Sequence, residues 1–247
     1  SNAPNNLETK QVRKLCSKFT RDAFNLTDYQ IHGSENLPYE KNSIFIYNHL
    51  DNHPSYMVTD QFQITLDSHF ISSLILEKYY NDFGNRVARF SLPEEKNHRD
   101  YYDRLKFIRV YSKDFIPNQI KKNEIKKVNY NFYNDAIKHL NTNSGLVFSP
   151  EGISYSTENS PGKFKKGIFK LACRINPQPY IVPLVMVNFD KLASETVYKC
   201  SIKPPFRMID FGVNSENESN LQVVIESINL KYNYWIKDLK QTNKNFE

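Results

Sequence analysis

Apolar and polar positions along the chain change period several times, and each change marks an element. In residues 8–28, Val12, Leu15, Cys16, Phe19, Ala23 and Phe24 recur at helical spacing, with Lys10, Arg13, Lys14, Lys18 and Arg21 on the other face. Ser43 to Tyr47 is a short strand-type run that stops at Asn48-His49. Between Gln61 and Leu76 the first part reads as the end of a helix and His69 to Leu76 as a buried strand. Glu77 to Asn85 reads as a polar connection turning at Gly84, and Phe90 to Arg104 as a charged surface excursion. Leu105 to Tyr111 returns to strand type, and residues 119–141 are helical up to a stop at Gly145.

The next stretch is the densest. Leu146, Val147 and Phe148 form a short strand closed by Ser149-Pro150, and Glu151-Gly152 follow at a tight turn. Phe164, Ile168, Leu171, Ala172 and Ile175 recur as a helix that Pro177 and Pro179 terminate. Ile181 to Val187 is a strand of the fully buried kind. Thr196 to Ile202 and Phe206 to Phe211 are strand or extended, 213–220 is a loop, 221–239 is a terminal helix and 241–247 a frayed tail. Strands alternating with helices predict an α/β fold with a mostly parallel central sheet flanked by helices. One domain over 4–247 is expected: N-terminal helix 8–28, core 33–211 and C-terminal helix 221–239. Ser1-Asn2-Ala3 has the look of a tag-cleavage remnant.

Composition narrows the partners. A net charge of +6 over 247 residues favours acidic ones: a phosphorylated substrate, coenzyme A, an acidic carrier protein or an anionic membrane. No arginine-rich helix or RNA-binding signature accompanies that charge, so nucleic acid is not expected. Cys16, Cys173 and Cys200 are scattered and odd in number, as free thiols in a reducing compartment are. No run approaches the roughly 20 apolar residues of a spanning helix. The expectation is a cytoplasmic protein, peripheral where it meets membrane; the basic face of 8–28 is either a membrane contact or the solvated side of a helix packed on the domain.

Two places carry candidate chemistry. Glu151 ends a strand ahead of a helix, where open α/β sheets place ligand sites, and Lys163, Lys165 and Lys166 gather near the start of that helix. The second place is the text NHLDNHPSYMVTD after the Ser43 to Tyr47 strand. A histidine there can serve as a general base, with a carboxylate fixing its tautomer. His49, Asp51 and His53 together also fit a metal site of hydrolase type, without a further histidine-rich motif to complete it.

Ser149-Pro150-Glu151-Gly152, Phe164-Lys165-Lys166-Gly167 and Tyr180-Ile181-Val182-Pro183-Leu184 resemble, in order and spacing, motifs of the glycerolipid (lysophospholipid) acyltransferases. Gly33-Ser34-Glu35-Asn36-Leu37-Pro38 resembles the lead-in to that family's catalytic strand, and Leu105 to Tyr111 loosely resembles its second motif. The likeness runs from Gly33 to Val187, about three fifths of the chain. It implies transfer of a fatty acyl group from acyl-CoA or acyl carrier protein to a hydroxyl of a glycerolipid precursor, with no metal or other cofactor.

The departures bear on chemistry. The family spaces its histidine and aspartate five apart; here Pro54 stands five after His49 and Val58 five after His53. The resemblance implies His49 as base, with His53 the alternative. Its carboxylate partner stays open between Asp51, in an unusual loop, and Asp60, across an inserted turn. Ser154 stands where the family has an arginine for substrate phosphate. Arg109, Lys163 and Lys166 are then the implied phosphate holders, with Lys113 in reserve. Glu151 is implied to position acceptor hydroxyls or brace the site, and the backbone at Gly152 to hold an oxyanion or anion. A catalytically degenerate lipid- or carrier-binding relative would keep the same fold motifs and lose the same chemical ones.

Overall fold

The computed structural model describes residues 4, 6–59, 62–112 and 120–242. In chain order the elements are α1 (Thr9–Phe24), β1 (Tyr29–His32), β2 (Ile44–Tyr47), β3 (Met57–Thr59), β4 (Phe62–Gln63), α2 (Leu66–Phe70), α3 (Glu77–Tyr80) and β5 (Asn85–Arg89). There follow α4 (Lys96–Leu105), β6 (Ile108–Val110), α5 (Lys122–Leu140), β7 (Leu146–Phe148), α6 (Gly167–Cys173), β8 (Ile181–Val187), β9 (Tyr198–Ile202) and α7 (Leu221–Gln241).

Seven strands form one sheet in the order β1-β9-β8-β2-β7-β5-β6, and β3 and β4 pair separately as an antiparallel ribbon. Within the large sheet every recorded pairing is parallel except β8 with β9. The mostly parallel α/β sheet expected from the alternation of elements is therefore what the chain forms. β2 lies between β7 and β8, and all of its residues are buried, as are all of β8's. That is why both read as unbroken apolar runs: a parallel strand covered on two faces has no polar side to show.

Alternation along β2 divides the core. Ile44 and Ile46 face a layer with Phe132 and Ala136 of α5, Ile168 and Phe169 of α6, and Ile228 and Tyr232 of α7. Phe45 and Tyr47 face Phe24 of α1 and Phe70, Ile71 and Ile75 on the opposite side. Each fully buried side chain of this size contributes roughly 1.5–3 kcal/mol, so the two layers hold the sheet from both sides.

Several expectations are corrected. His69 to Leu76 is not a strand: Ile71–Leu76 is a π-helical turn joining α2 to α3 in one continuous helical run. The run is buried as expected, but burial on all sides suits a helix as well as a strand. The charged surface excursion expected over Phe90 to Arg104 contains a helix, Lys96–Leu105, which docks through buried Tyr101 and Leu105. The polar connection before Asn85 ends in a strand, β5, and begins with the α3 turn. Phe206 to Phe211 closes as a 3₁₀ turn over Met208–Phe211. The helix expected from Phe164 starts at Gly167. The basic face of α1 is partly turned inward: Arg13 donates to the carbonyls of Gly84 and Leu105 and to Asn85, and Arg21 pairs with Glu77.

Candidate active site

The carboxyl ends of β2 and β7 meet at the centre of the sheet. Asn48, directly after β2, is fully buried and satisfied: its Nδ2 donates to the Met186 carbonyl (2.9 Å) and Ser160 Oγ (2.9 Å), and its Oδ1 accepts from Met186 N (2.7 Å). The side chain thus prolongs the contact between β2 and β8 by one residue past Tyr47. This fixes where the chain leaves the sheet, and so where the next residue, His49, stands.

His49 Nδ1 lies 2.6 Å from Asp67 Oδ2. The Asp67 side chain is wholly buried, while 22% of the His49 side chain is exposed. Asp67 accepts two backbone N–H bonds as well, from Leu50 (2.9 Å) and from Ser68 (2.5 Å). It also sits in the first turn of α2, where the helix dipole favours a negative charge. Burial pushes the His49 imidazole down, but the charge and hydrogen bond of Asp67, with Glu151 and Asp51 behind it, outweigh that and hold it above its ordinary value. With Nδ1–H donated to Asp67, Nε2 is the nitrogen left to take a proton.

The start of α2 is held in place from the His49 loop. Asn52 Nδ2 donates to the Ile64 carbonyl (2.6 Å), its Oδ1 accepts from Leu66 N (3.1 Å), and Gln63 donates to the Asn52 carbonyl (3.3 Å). The β3–β4 ribbon fills the interval between His49 and Asp67, which is why these residues are eighteen positions apart and still touch.

Glu151, at the turn after β7, is 1% exposed. Its Oε2 accepts from the His49 backbone N–H (2.5 Å) and Ser149 Oγ (3.3 Å), and its Oε1 from the Gly162 N–H (2.7 Å). Burial raises this carboxyl to about 7 against the opposing effect of those hydrogen bonds. Both oxygens are spent on the protein, so of the two roles expected for Glu151 the geometry is that of a brace. It ties the His49 segment to the 162 loop. Gly152 follows with φ 77°, in the left-handed region where glycine alone carries no Cβ strain, so the turn favours glycine.

A cleft of about 450 Å³ opens beside His49. Its polar wall is made by Asp51, Asn52, Gln63, Thr65, Ser154 and Ser156, with Asp190 at one side.

The other candidates lie elsewhere. Asp51 is exposed and accepts a hydrogen bond from Ser154 Oγ; it is not the carboxylate on the His49 ring. Asp60 and Lys113 lie outside the described residues. His53 is four residues along the loop, its Nδ1 accepting from Ser55 N (3.2 Å), away from Asp67. Arg109 is turned toward α4, 2.8 Å from Asp103 and over the rings of Phe90 and Tyr102. Lys163 and Lys166 are exposed and are not among the residues lining the cleft. Among the described residues, no group of three His, Cys, Asp or Glu side chains is arranged to hold a metal ion, so His49, Asp51 and His53 do not converge. Nor, among those residues, is any helix long and apolar enough to cross a membrane. The residue that sequence reasoning missed is Asp67; its signal was an aspartate one residue inside the start of a buried helix, after Thr65.

No family model matches the sequence, and no curated protein does. Among solved structures, the fold is similar to that of the 1-acyl-sn-glycerophosphate (LPA) acyltransferase PlsC from Thermotoga maritima, with a TM-score of 0.59 and 18% identity over 97% of this chain and 83% of that one. At that identity the likeness is one of fold.

Proposed function

We propose that the protein is an acyltransferase that moves a fatty acyl group from a thioester, acyl-CoA or acyl carrier protein, to a hydroxyl of a glycerolipid-type acceptor. The observation that carries this reading is the His49–Asp67 pair at the carboxyl end of the central strand. The fold shared with an LPA acyltransferase, and the motif resemblance around Glu151, support it from two other directions. In the reaction the acceptor hydroxyl oxygen attacks the thioester carbonyl carbon. Its proton passes to His49 Nε2, and the resulting imidazolium is stabilised by Asp67. The C–S bond then breaks, and the departing thiolate takes the proton from His49. Products are the acyl ester and the free thiol, and His49 is neutral again. Glu151 holds the His49 backbone in register. The N–H groups of the Gly152 turn are the proposed donors to the oxyanion. The positive balance of the chain suits an anionic donor or membrane surface, with the exposed Lys10, Lys14 and Lys18 of α1 as the proposed contact.

The test is acceptor-dependent release of thiol from acyl-CoA. Addition of an acceptor should accelerate release, and His49→Ala should remove about 10²–10⁴-fold of it with the fold retained. Full activity in His49→Ala, or a thioester that no acceptor activates, would remove the reading and leave a lipid- or carrier-binding relative in its place.

A further inference from the structure

We infer that the acceptor is a neutral polyhydroxyl compound and carries no phosphate. This rests on the acyl-transfer reading and narrows it. The cleft that His49 opens into is lined, among the described residues, by the uncharged polar side chains of Asn52, Gln63, Thr65, Ser154 and Ser156, which keep hydrogen-bonding capacity for hydroxyl groups beyond the bonds they make within the protein. Its only charged members besides the histidine are carboxylates, Asp51 and Asp190. No lysine or arginine is among those lining residues. A phosphate monoester brings a charge of about −1.5 to −2 and calls for cationic or backbone donors on its oxygens. Here it would meet a carboxylate.

Ser154 sharpens the point. It stands where the resemblance expects the phosphate-holding arginine, and its hydroxyl is bonded to Asp51 instead. Three further cations among the described residues are paired with carboxylates. Arg89 makes a two-pronged pair with Glu95, Arg109 is on Asp103, and Lys191 is shared between Glu158 and Asp190. Asp51 is exposed, lines the cleft and, among the described residues, makes no ion pair with a lysine or arginine, so it sets a carboxylate on the cleft wall.

The experiment compares matched acceptors with one acyl donor, palmitoyl-CoA: monoacylglycerol against lysophosphatidate, which differ by the phosphate alone. The neutral acceptor should show a kcat/KM higher by about tenfold or more, the size expected for a like-charge contact near a protein surface. Asp51→Asn, a substitution at an exposed position, and Ser154→Arg should each reduce that preference by about tenfold. A preference for lysophosphatidate, or a ratio that neither variant moves, would overturn the inference. A parallel titration without donor, followed on the His49 ring resonances, gives an answer independent of turnover. There the neutral lipid should perturb His49 at lower concentration than lysophosphatidate does, and the reverse order would again overturn the inference. If no acceptor stimulates thiol release, the acyl-transfer reading fails, and the titration still decides between a neutral and a phosphorylated ligand.

Discussion

Glu151→Gln separates a brace from a substrate-binding residue. The wild-type carboxylate faces hydrogen-bond donors on both sides, His49 N–H on Oε2 and Gly162 N–H on Oε1. Glutamine has one oxygen to offer, so either orientation sets an NH₂ against a backbone N–H. Leaving a buried donor unsatisfied costs about 1–3 kcal/mol. For a domain of this size that is a fall in Tm of roughly 2–10 °C. The loss should depend on pH. Glu151 titrates at about 7 in the folded chain, against 4.5 for an ordinary glutamate in water. A raised folded value means that the folded state holds the extra proton. The stability this contributes is fully present below about 4.5 and disappears as pH rises through about 7. From those two values the wild type loses about 2–3 kcal/mol between pH 5 and 8 through this group, and the glutamine variant loses none of it. The gap between the two melting curves should therefore be widest near pH 5 and narrow as pH rises, to the unsatisfied-donor penalty alone by about pH 8. Thermal denaturation across that range, with acceptor KM measured beside it, checks both halves. A gap that widens with pH, or a raised acceptor KM with unchanged Tm, would refute the brace and put Glu151 on the substrate.

Two further outcomes follow from the same geometry. Asn52→Ala removes the clamp on Ile64 and Leu66 that sets the start of α2; kcat should fall about tenfold with acid-side inhibition shifted to lower pH, because Asp67 no longer holds the His49 ring as closely. A stability loss without any change in the pH profile would make Asn52 a structural residue only. Tyr232→Phe deletes the buried hydroxyl that donates to the Ile46 carbonyl (2.9 Å); it should lower stability by about 1 kcal/mol in a denaturant titration and leave the pH profile alone.

The fold is legible where burial is two-sided and the elements are short. The β2 and β8 runs read as buried strands because Asn48 ends one and Pro177 and Pro179 precede the other at strand length, and both lie where expected. His49 and Glu151 are legible for the same reason: each follows directly on such a strand. Asp67 is not, because the β3–β4 ribbon sets His49 and Asp67 eighteen residues apart where the resemblance implied five, and a fixed spacing cannot anticipate an inserted ribbon. Ile71 to Leu76 misleads because serines and β-branched residues fill a π turn buried on every side, which leaves no helical stripe to read. Lys96 to Leu105 misleads for the opposite reason, having so narrow an apolar stripe, Tyr101 and Leu105, that charge dominates the pattern. A strand end suggests Arg109 as a phosphate ligand, but strand position says nothing of which neighbour a guanidinium finds, and Asp103 one helix away is nearer to hand.

The pairing of His49 with Asp67 is tested most directly by titrating the His49 ring by NMR in the wild type and in Asp67→Asn. In the wild type the imidazole should titrate above 6.5, because the buried aspartate holds its charged form. On the proposed mechanism neutral His49 takes the proton, so acceptor-dependent turnover should fall as pH drops through that same value. In Asp67→Asn both the titration and the acid limb of kcat should move to lower pH together, since the stabilising charge is gone and the burial penalty remains. An unchanged His49 titration in Asp67→Asn, or one that moves upward, would contradict the pair.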